Sequence, residues 1–164
     1  MNAMIIVKLA AASVSFAYYI AKHFHTKSCS IALFGTFYAL SGFVAAYSWN
    51  IMWLDCVILV PLIMLGLERL VNENKCLLYC ISLGLCIFTN YYIAIMVCMA
   101  VVLYFIVLMV SYNGTRHPRI YLKKFIHWCV YSLLAGGLSA CLLLPELYTF
   151  SLSASSDVSF PKTL

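Results

Sequence analysis

Residues 39–71 decide the fold class of this chain, and they read ALSGFVAAYSWNIMWLDCVILVPLIMLGLERLV. Within this stretch, charged side chains occur only at Asp55, Glu68 and Arg69. Apolar segments of about 20 residues cross the hydrocarbon core of a bilayer as helices, because a helix satisfies its own backbone hydrogen bonds in lipid. The stretch therefore predicts a membrane-spanning helix over residues 51–67 with charged groups near both ends.

The composition of the whole chain supports the same class. Charged residues make up 9% of the 164 residues and apolar residues 65%, whereas a soluble domain carries about a quarter charged residues. The net charge of +5 comes from Lys and Arg that mostly lie at the ends of apolar runs. Such residues anchor helices beside anionic lipid headgroups. The pattern excludes a water-soluble domain and indicates membrane topology, with no nucleic acid among the partners.

Extending this pattern along the sequence predicts an all-α polytopic transmembrane helix bundle, a single domain over residues 1–164 with about six spans. The uncharged run 76–112 would be about 55 Å long as one helix, which is more than one bilayer holds. We place a break at Asn90, so that the fourth span is short and either tilted or re-entrant. Pro145 is expected to end the last span and to begin an outer tail over residues 145–164. The predicted spans are 3–21, 29–47, 51–67, 76–89, 91–112 and 125–144.

The charged loops assign the two sides of the membrane. Lys and Arg cluster in residues 22–27, 69–75 and 116–124, whereas the loops between these clusters and the tail hold only Lys162. The positive-inside rule places the basic loops in the cytoplasm and the N-terminus outside. The first apolar run carries its positive charges after it, unlike a signal peptide. We therefore expect the chain to be part of a longer protein, truncated at both ends.

Small residues recur at every fourth position in two of the predicted spans, which predicts close helix packing. They are Ser13, Ala17 and Ala21 in the first span and Ser132, Gly136 and Ala140 in the last. The eight cysteines form no pattern of paired ligands. Because buried cysteine behaves as a small hydrophobe, the sequence predicts no metal site.

Polar and aromatic residues that could bind a ligand gather on the predicted outer side. They are Lys8, Asn50, Trp53, Asp55, Asn90, Tyr91, Tyr92 and Glu146. Carboxylates and amides pair with sugar hydroxyls, while aromatic rings stack on the apolar face of a sugar. Asp55 is either a solvated residue favoured by the helix dipole or a group that faces a polar cavity. Lys8, inside the first span, either snorkels to the surface or binds an anion.

Together with residues 39–71, two further segments resemble the bacterial YfhO family of multi-pass membrane proteins. They are LLYCISLGLCIFTNYYIAIM at residues 77–96 and LLAGGLSACLLLPELY at residues 133–148. The resemblance covers nearly the whole chain and is carried mainly by residues 50–55, 66–69 and 90–92. It implies a GT-C-type glycosyltransferase architecture in the bacterial plasma membrane. Such an enzyme uses a polyprenyl-phosphate-linked sugar to modify envelope polymers such as teichoic acid on the outer face.

The resemblance also bears on individual residues. It implies that Asn50, Asp55, Asn90, Tyr91 and Tyr92 line the substrate cavity. Family members are several times longer, and their catalytic acid is expected in an early outer loop that would lie upstream of Met1. No catalytic residue is therefore assigned within this chain.

The leading functional hypothesis is the central membrane portion of an envelope glycosyltransferase that orients donor and acceptor at the membrane surface. Its partners would be the lipid bilayer, the polyprenyl-phosphate sugar donor and the envelope polymer acceptor. No cofactor is evident, although the chemistry leaves room for a divalent cation. Two alternatives stay open: a membrane transporter or flippase, and an inactive fragment of a split or truncated gene.

Overall fold

A computed structural model describes residues 2–26, 28–47, 49–112 and 118–151 of the chain. Within these ranges every regular element is a helix, which confirms the predicted all-α class. The helices are α1 (Asn2–His23), α2 (Ser30–Ala39), α3 (Gly42–Tyr47), α4 (Ile51–Glu73), α5 (Leu77–Thr89), α6 (Tyr91–Val110), α7 (Pro118–Leu138) and α8 (Ala140–Ser151).

Several of these helices are long and apolar enough to cross a membrane. In the described part of the chain these segments are Ala3–His23, Ser30–Tyr47 (α2 together with α3), Ile51–Glu73 and Tyr91–Val110, and Leu77–Thr89 is apolar but shorter. The break expected at Asn90 is present, because this residue ends α5 and begins α6. The protein is therefore an α-helical membrane protein with several spans.

Some helices begin or end away from the bounds of the predicted spans. The second predicted span consists of two helices, because the helix is interrupted between Ala39 and Gly42. Glycine has a low helix propensity, which favours a break at this point. Helix α4 continues beyond residue 67 to Glu73, because polar residues can extend a helix past the apolar core of a bilayer.

The last predicted span, 125–144, differs most from the structure. Helix α7 begins at Pro118 rather than at residue 125, since proline favours the first turn of a helix. The chain leaves the helix at Ser139, and α8 then runs through Pro145. Pro145 therefore does not end the helix. A proline inside an apolar helix of a membrane protein is tolerated when other groups satisfy the freed backbone atoms.

Helix α4 lies at the centre of the fold and packs against α1, α5 and α6. Pro61 lies within α4 and has no N–H to donate to the carbonyl of Val57. The hydroxyl of Tyr38 donates to that carbonyl at 2.7 Å, and the hydroxyl of Ser15 donates to the next carbonyl, that of Ile58, also at 2.7 Å. Side chains from α1 and α2 thus satisfy the backbone of α4 where proline interrupts its ladder.

Glycine allows the closest approach of backbones in this fold. A Cβ atom at Gly66 of α4 would lie 2.7 Å from the Cα atom of Tyr79 in α5. A Cβ atom at Gly35 of α2 would lie 2.7 Å from the carbonyl oxygen of Ser13 in α1. The second contact confirms that the small residues of the first span form a packing seam.

The small-residue stripe predicted in the last span is only partly right. A Cβ atom at Gly136 would meet no described atom within 4 Å, so this residue does not form a close contact there. The contacts run instead through Ala135, whose carbonyl lies 3.3 Å from a Cβ built on Gly84, and through Ser139, which donates to the Gly84 carbonyl at 2.7 Å. The face of the last span that contacts α5 therefore includes Ala135 and Ser139, which lie one position before the predicted Gly136 and Ala140.

Candidate functional site

Lys8 and Asp55 form an ion pair at one end of the bundle. The Nζ atom of Lys8 lies 2.7 Å from Oδ1 and 2.8 Å from Oδ2 of Asp55. The same Nζ atom donates to the carbonyl of Ile51 at 3.1 Å. The Lys8 side chain is 17% exposed and that of Asp55 is 35% exposed. The pair is therefore shielded on one side and open on the other.

The parallel packing of α1 and α4 brings these two residues together. Contacts between the helices follow the chain in the same direction, from Lys8 with Asp55, through Ser15 with Ile58, to the distal contact of His23 with Glu68. Because an amine that stays in a span needs a partner, this register gives Lys8 one in Asp55. The ammonium of Lys8 thus contacts a carboxylate of the chain itself.

Aromatic rings line the same end of α4. The ring of Trp53 lies 6.3 Å from that of Tyr92, with the planes 26° apart, and 5.1 Å from that of Tyr47. Tyr47 in turn lies 5.1 Å from Phe43. Trp53 is partly buried, whereas Tyr92 is exposed. The rings thus connect α3, α4 and α6 at the end of α4 that also carries Asp55.

The two asparagines have backbone roles. The Asn90 side chain accepts a hydrogen bond from the N–H of Ile93 at 3.1 Å and so caps the N-terminus of α6. Asn50 precedes α4 without a side-chain cap, and its carbonyl accepts from the N–H of Trp53 at 3.1 Å. Asn90 therefore fixes the α5–α6 turn, and the amide of Asn50 is not used to cap its own helix.

Two predicted site residues, Tyr91 and Glu146, remain. Tyr91 is exposed at the start of α6. Glu146 lies in α8, but its side chain is outside the part of the chain that the structure describes. Among the described residues, no group of three His, Cys, Asp or Glu side chains could hold a metal ion.

The arrangement can bind a polar ligand in two ways. The carboxylate of Asp55 accepts hydrogen bonds and the ammonium of Lys8 donates them, so the pair matches a ligand that carries both donors and acceptors. Trp53 and the exposed Tyr92, at the same end of α4, suit the apolar face of a sugar. The structure thus brings Lys8 to Asp55 and Trp53 to Tyr92, whereas the Asn90 side chain is occupied by its cap.

Sequence analysis missed a second polar cluster at the other end of α4. The buried carboxylate of Glu68 accepts from the hydroxyl of Tyr19 at 3.0 Å and contacts Nδ1 of His23 at 2.8 Å. It also accepts from the hydroxyl of Tyr104 in α6. In the sequence, Glu68 stands out only as a charged residue just after the predicted span 51–67. The available signal was that Tyr19 and His23 are four residues apart and therefore share one face of α1.

The comparisons with known proteins identify one family. A family model described as bacterial membrane protein YfhO matches residues 1–163 of the chain, which confirms the resemblance drawn from the sequence. No curated protein and no solved structure gives a significant match.

Proposed function

This chain belongs to the YfhO family of bacterial membrane proteins, and we propose that it forms the central membrane portion of an envelope glycosyltransferase. The donor would be a polyprenyl-phosphate-linked sugar and the acceptor a cell-surface polymer such as teichoic acid. The observation that supports this most is the ion pair of Lys8 with Asp55, 2.7 Å long, at the same end of α4 as the rings of Trp53 and Tyr92. These groups provide the chemistry that a phosphorylated sugar requires.

In this proposal the two partners of the ion pair bind different parts of the substrates. The ammonium of Lys8 attracts the phosphate of the donor, since lysine acts on phosphate as a point charge. Asp55, released from part of its interaction with Lys8, accepts hydrogen bonds from sugar hydroxyls. Trp53 and Tyr92 stack against the sugar ring.

Placing donor and acceptor side by side removes much of the entropic barrier to their reaction. The residues above are assigned to binding and orientation and not to the deprotonation of the acceptor hydroxyl. The bilayer holds the polyprenyl chain, and the proposed site faces the outside of the cell. Basic loops in the cytoplasm complete this topology.

The test is a sugar-transfer assay on the full-length protein in proteoliposomes with a radiolabelled polyprenyl-phosphate sugar. Asp55→Asn keeps the shape of the side chain but removes its charge, and Lys8→Met removes the ammonium. Each change is expected to lower turnover by about tenfold or more, because one charge-assisted contact is lost. Lys123→Met is the matched control, since Lys123 is an exposed lysine of α7. Unchanged transfer in both site variants would contradict the proposal.

A transporter or lipid flippase is the second candidate, and the buried carboxylate of Glu68 favours it. An ionisable group inside a helical bundle is a recurring feature of transport pathways. Movement of a labelled lipid or solute across vesicles without sugar transfer, abolished by Glu68→Gln, would select this candidate over the first.

A further inference from the structure

A cavity of about 490 Å³ lies between the C-terminal ends of α1 and α4, at the opposite end of α4 from Asp55. Its lining includes the basic side chains of Lys22, His25, Arg69 and Lys75. Leu65 and Leu108 contribute an apolar wall. Cationic groups beside an apolar wall at the end of membrane helices suggest a ligand that is both anionic and close to the bilayer.

The carboxylates that line this cavity are already engaged. Glu73 lies 2.7 Å from the Nζ atom of Lys75, so these two charges compensate each other. Glu68 contacts the hydroxyl of Tyr19 and the ring nitrogen of His23. An incoming anion would therefore meet no carboxylate that lacks a partner of its own.

Among the described residues, two further cations form no direct ion pair, although Lys75 and, to a smaller extent, the charge of Arg69 lower the pKa of the Glu73 carboxyl. In the described ranges of the chain, neither Arg69 nor Lys22 forms an ion pair with a carboxylate. The guanidinium-bearing side chain of Arg69 is only partly exposed. Lys22 lines the cavity, and its Nζ atom lies 5.8 Å from the centre of the Tyr18 ring, a contact that does not neutralise the ammonium.

The C-terminus of a helix disfavours anions unless its carbonyls are capped. At the end of α4 these caps are present. Lys124 of α7 donates to the carbonyl of Val71, and the backbone N–H groups of Asn74 and Lys75 donate to the carbonyl of Arg69. The carbonyls of Arg69 and Val71 at this helix end are therefore already engaged.

We propose that this cavity binds a phosphate group, held by the guanidinium of Arg69 and the ammonium of Lys22. The planar fork of arginine matches two phosphate oxygens, and lysine adds a point charge. Basic pockets between membrane helices bind the headgroups of anionic lipids. A soluble phosphate ester has the same chemistry, so both sources satisfy the site. The inference does not depend on sugar transfer, because it concerns residues at the other end of α4.

The experiment measures binding of dioleoyl phosphatidylglycerol to the purified full-length protein in a neutral detergent by native mass spectrometry. Dioleoyl phosphatidylcholine, which carries a phosphate but no net charge, is the reference lipid. The wild-type protein is expected to bind phosphatidylglycerol more tightly than phosphatidylcholine. Arg69→Gln is expected to weaken phosphatidylglycerol binding by about tenfold, since a charge-assisted contact is lost.

Further variants separate the site from a general charge effect. Lys22→Gln changes an exposed side chain, so it should fold even if Arg69→Gln does not, and it is expected to weaken binding several-fold. Arg69→Lys keeps the positive charge but removes the planar guanidinium. Its affinity for phosphatidylglycerol should lie between those of the wild type and Arg69→Gln. Lys123→Gln removes the same charge from an exposed position on α7 and should bind like wild type.

A second arm uses inorganic phosphate and glycerol 3-phosphate as competitors for the bound lipid and as ligands in thermal unfolding. Competition that depends on Arg69 would identify a soluble ester as the source, and its absence alongside tight lipid binding would identify the lipid. Equal binding of both lipids by wild type, with no Arg69-dependent effect of soluble phosphate, would overturn the proposal. So would equal losses in Lys22→Gln and Lys123→Gln.

Discussion

At the N-terminal end of α4 the Asp55 carboxylate meets a full positive charge, whereas near the C-terminal end the Glu68 carboxylate meets two tyrosine hydroxyls and a histidine. The first carboxylate is 35% exposed and the second is only 11% exposed. A paired and accessible charge can exchange its partner for a ligand. A buried carboxylate with several donors from α1 and α6 instead holds helices together. The comparison predicts that stability depends on Glu68 and ligand chemistry on Asp55.

The largest effect is expected from Glu68→Ala. The change leaves the hydroxyls of Tyr19 and Tyr104 without their shared acceptor and should lower the free energy of unfolding by about 3 kcal/mol. Unfolding of the purified protein, followed by circular dichroism, measures the loss. Glu73→Gln alters an exposed carboxylate in the same helix and should leave the midpoint unchanged. Equal stability of the two variants would remove the distinction between the ends of α4.

The next effect concerns the close approach of α4 and α5 near Glu68. Gly66→Leu inserts a side chain where a Cβ atom would already lie 2.7 Å from the backbone of Tyr79. Separation of the helices should cost about 1–3 kcal/mol. The measurement is the same unfolding transition, with Gly136→Leu as the control because no described atom lies within 4 Å of a Cβ there. A wild-type midpoint for Gly66→Leu would show that the two helices do not meet as described.

A smaller loss of stability is expected when the hydrogen bond that compensates for Pro61 in α4 is removed. Tyr38→Phe removes the donor to the Val57 carbonyl and should cost about 1 kcal/mol. Pro61→Ala restores a backbone N–H for that carbonyl, so Tyr38→Phe should cost less in a Pro61→Ala background. A double-mutant cycle of unfolding free energies measures the difference. An additive cycle would show that the hydroxyl does not compensate for the proline.

The smallest stability effect is expected at the candidate site. A double-mutant cycle of Lys8→Met and Asp55→Asn should give a coupling of about 1 kcal/mol or less, because the pair is partly exposed. The same substitutions are expected to reduce sugar transfer much more than they reduce stability. A coupling as large as the Glu68→Ala loss would make the pair a structural element and weaken its assignment to ligand binding.

The sequence predicts the helical class well, because apolar length and clustered charges depend on local composition. It also predicts the break at Asn90, whose side chain caps the helix that follows. Sequence alone did not predict that Lys8 contacts Asp55, since that contact depends on the parallel register of α1 and α4. The role of Glu68 was not predicted for the same reason. Its donors come from α1 and α6, and no local pattern indicates that they converge.

Helix ends were predicted less well for a similar reason. Pro145 was expected to end the last helix, but the break lies at Ser139. The hydroxyl of Ser139 donates to the Gly84 carbonyl in a neighbouring helix. The break is therefore associated with a tertiary contact. Proline rules describe a single helix and do not include such contacts.

We propose that the Lys8–Asp55 pair faces the outside of the cell and that the Arg69 cavity faces the cytoplasm. A membrane-impermeant maleimide applied to intact cells tests it directly, with single cysteines introduced as Trp49→Cys and Asn72→Cys in a background lacking reactive cysteines. Both positions are exposed and lie near opposite ends of α4. We predict labelling of position 49 in intact cells and of position 72 only after permeabilisation. Labelling of both positions from the same side, or the reverse order, would contradict the account.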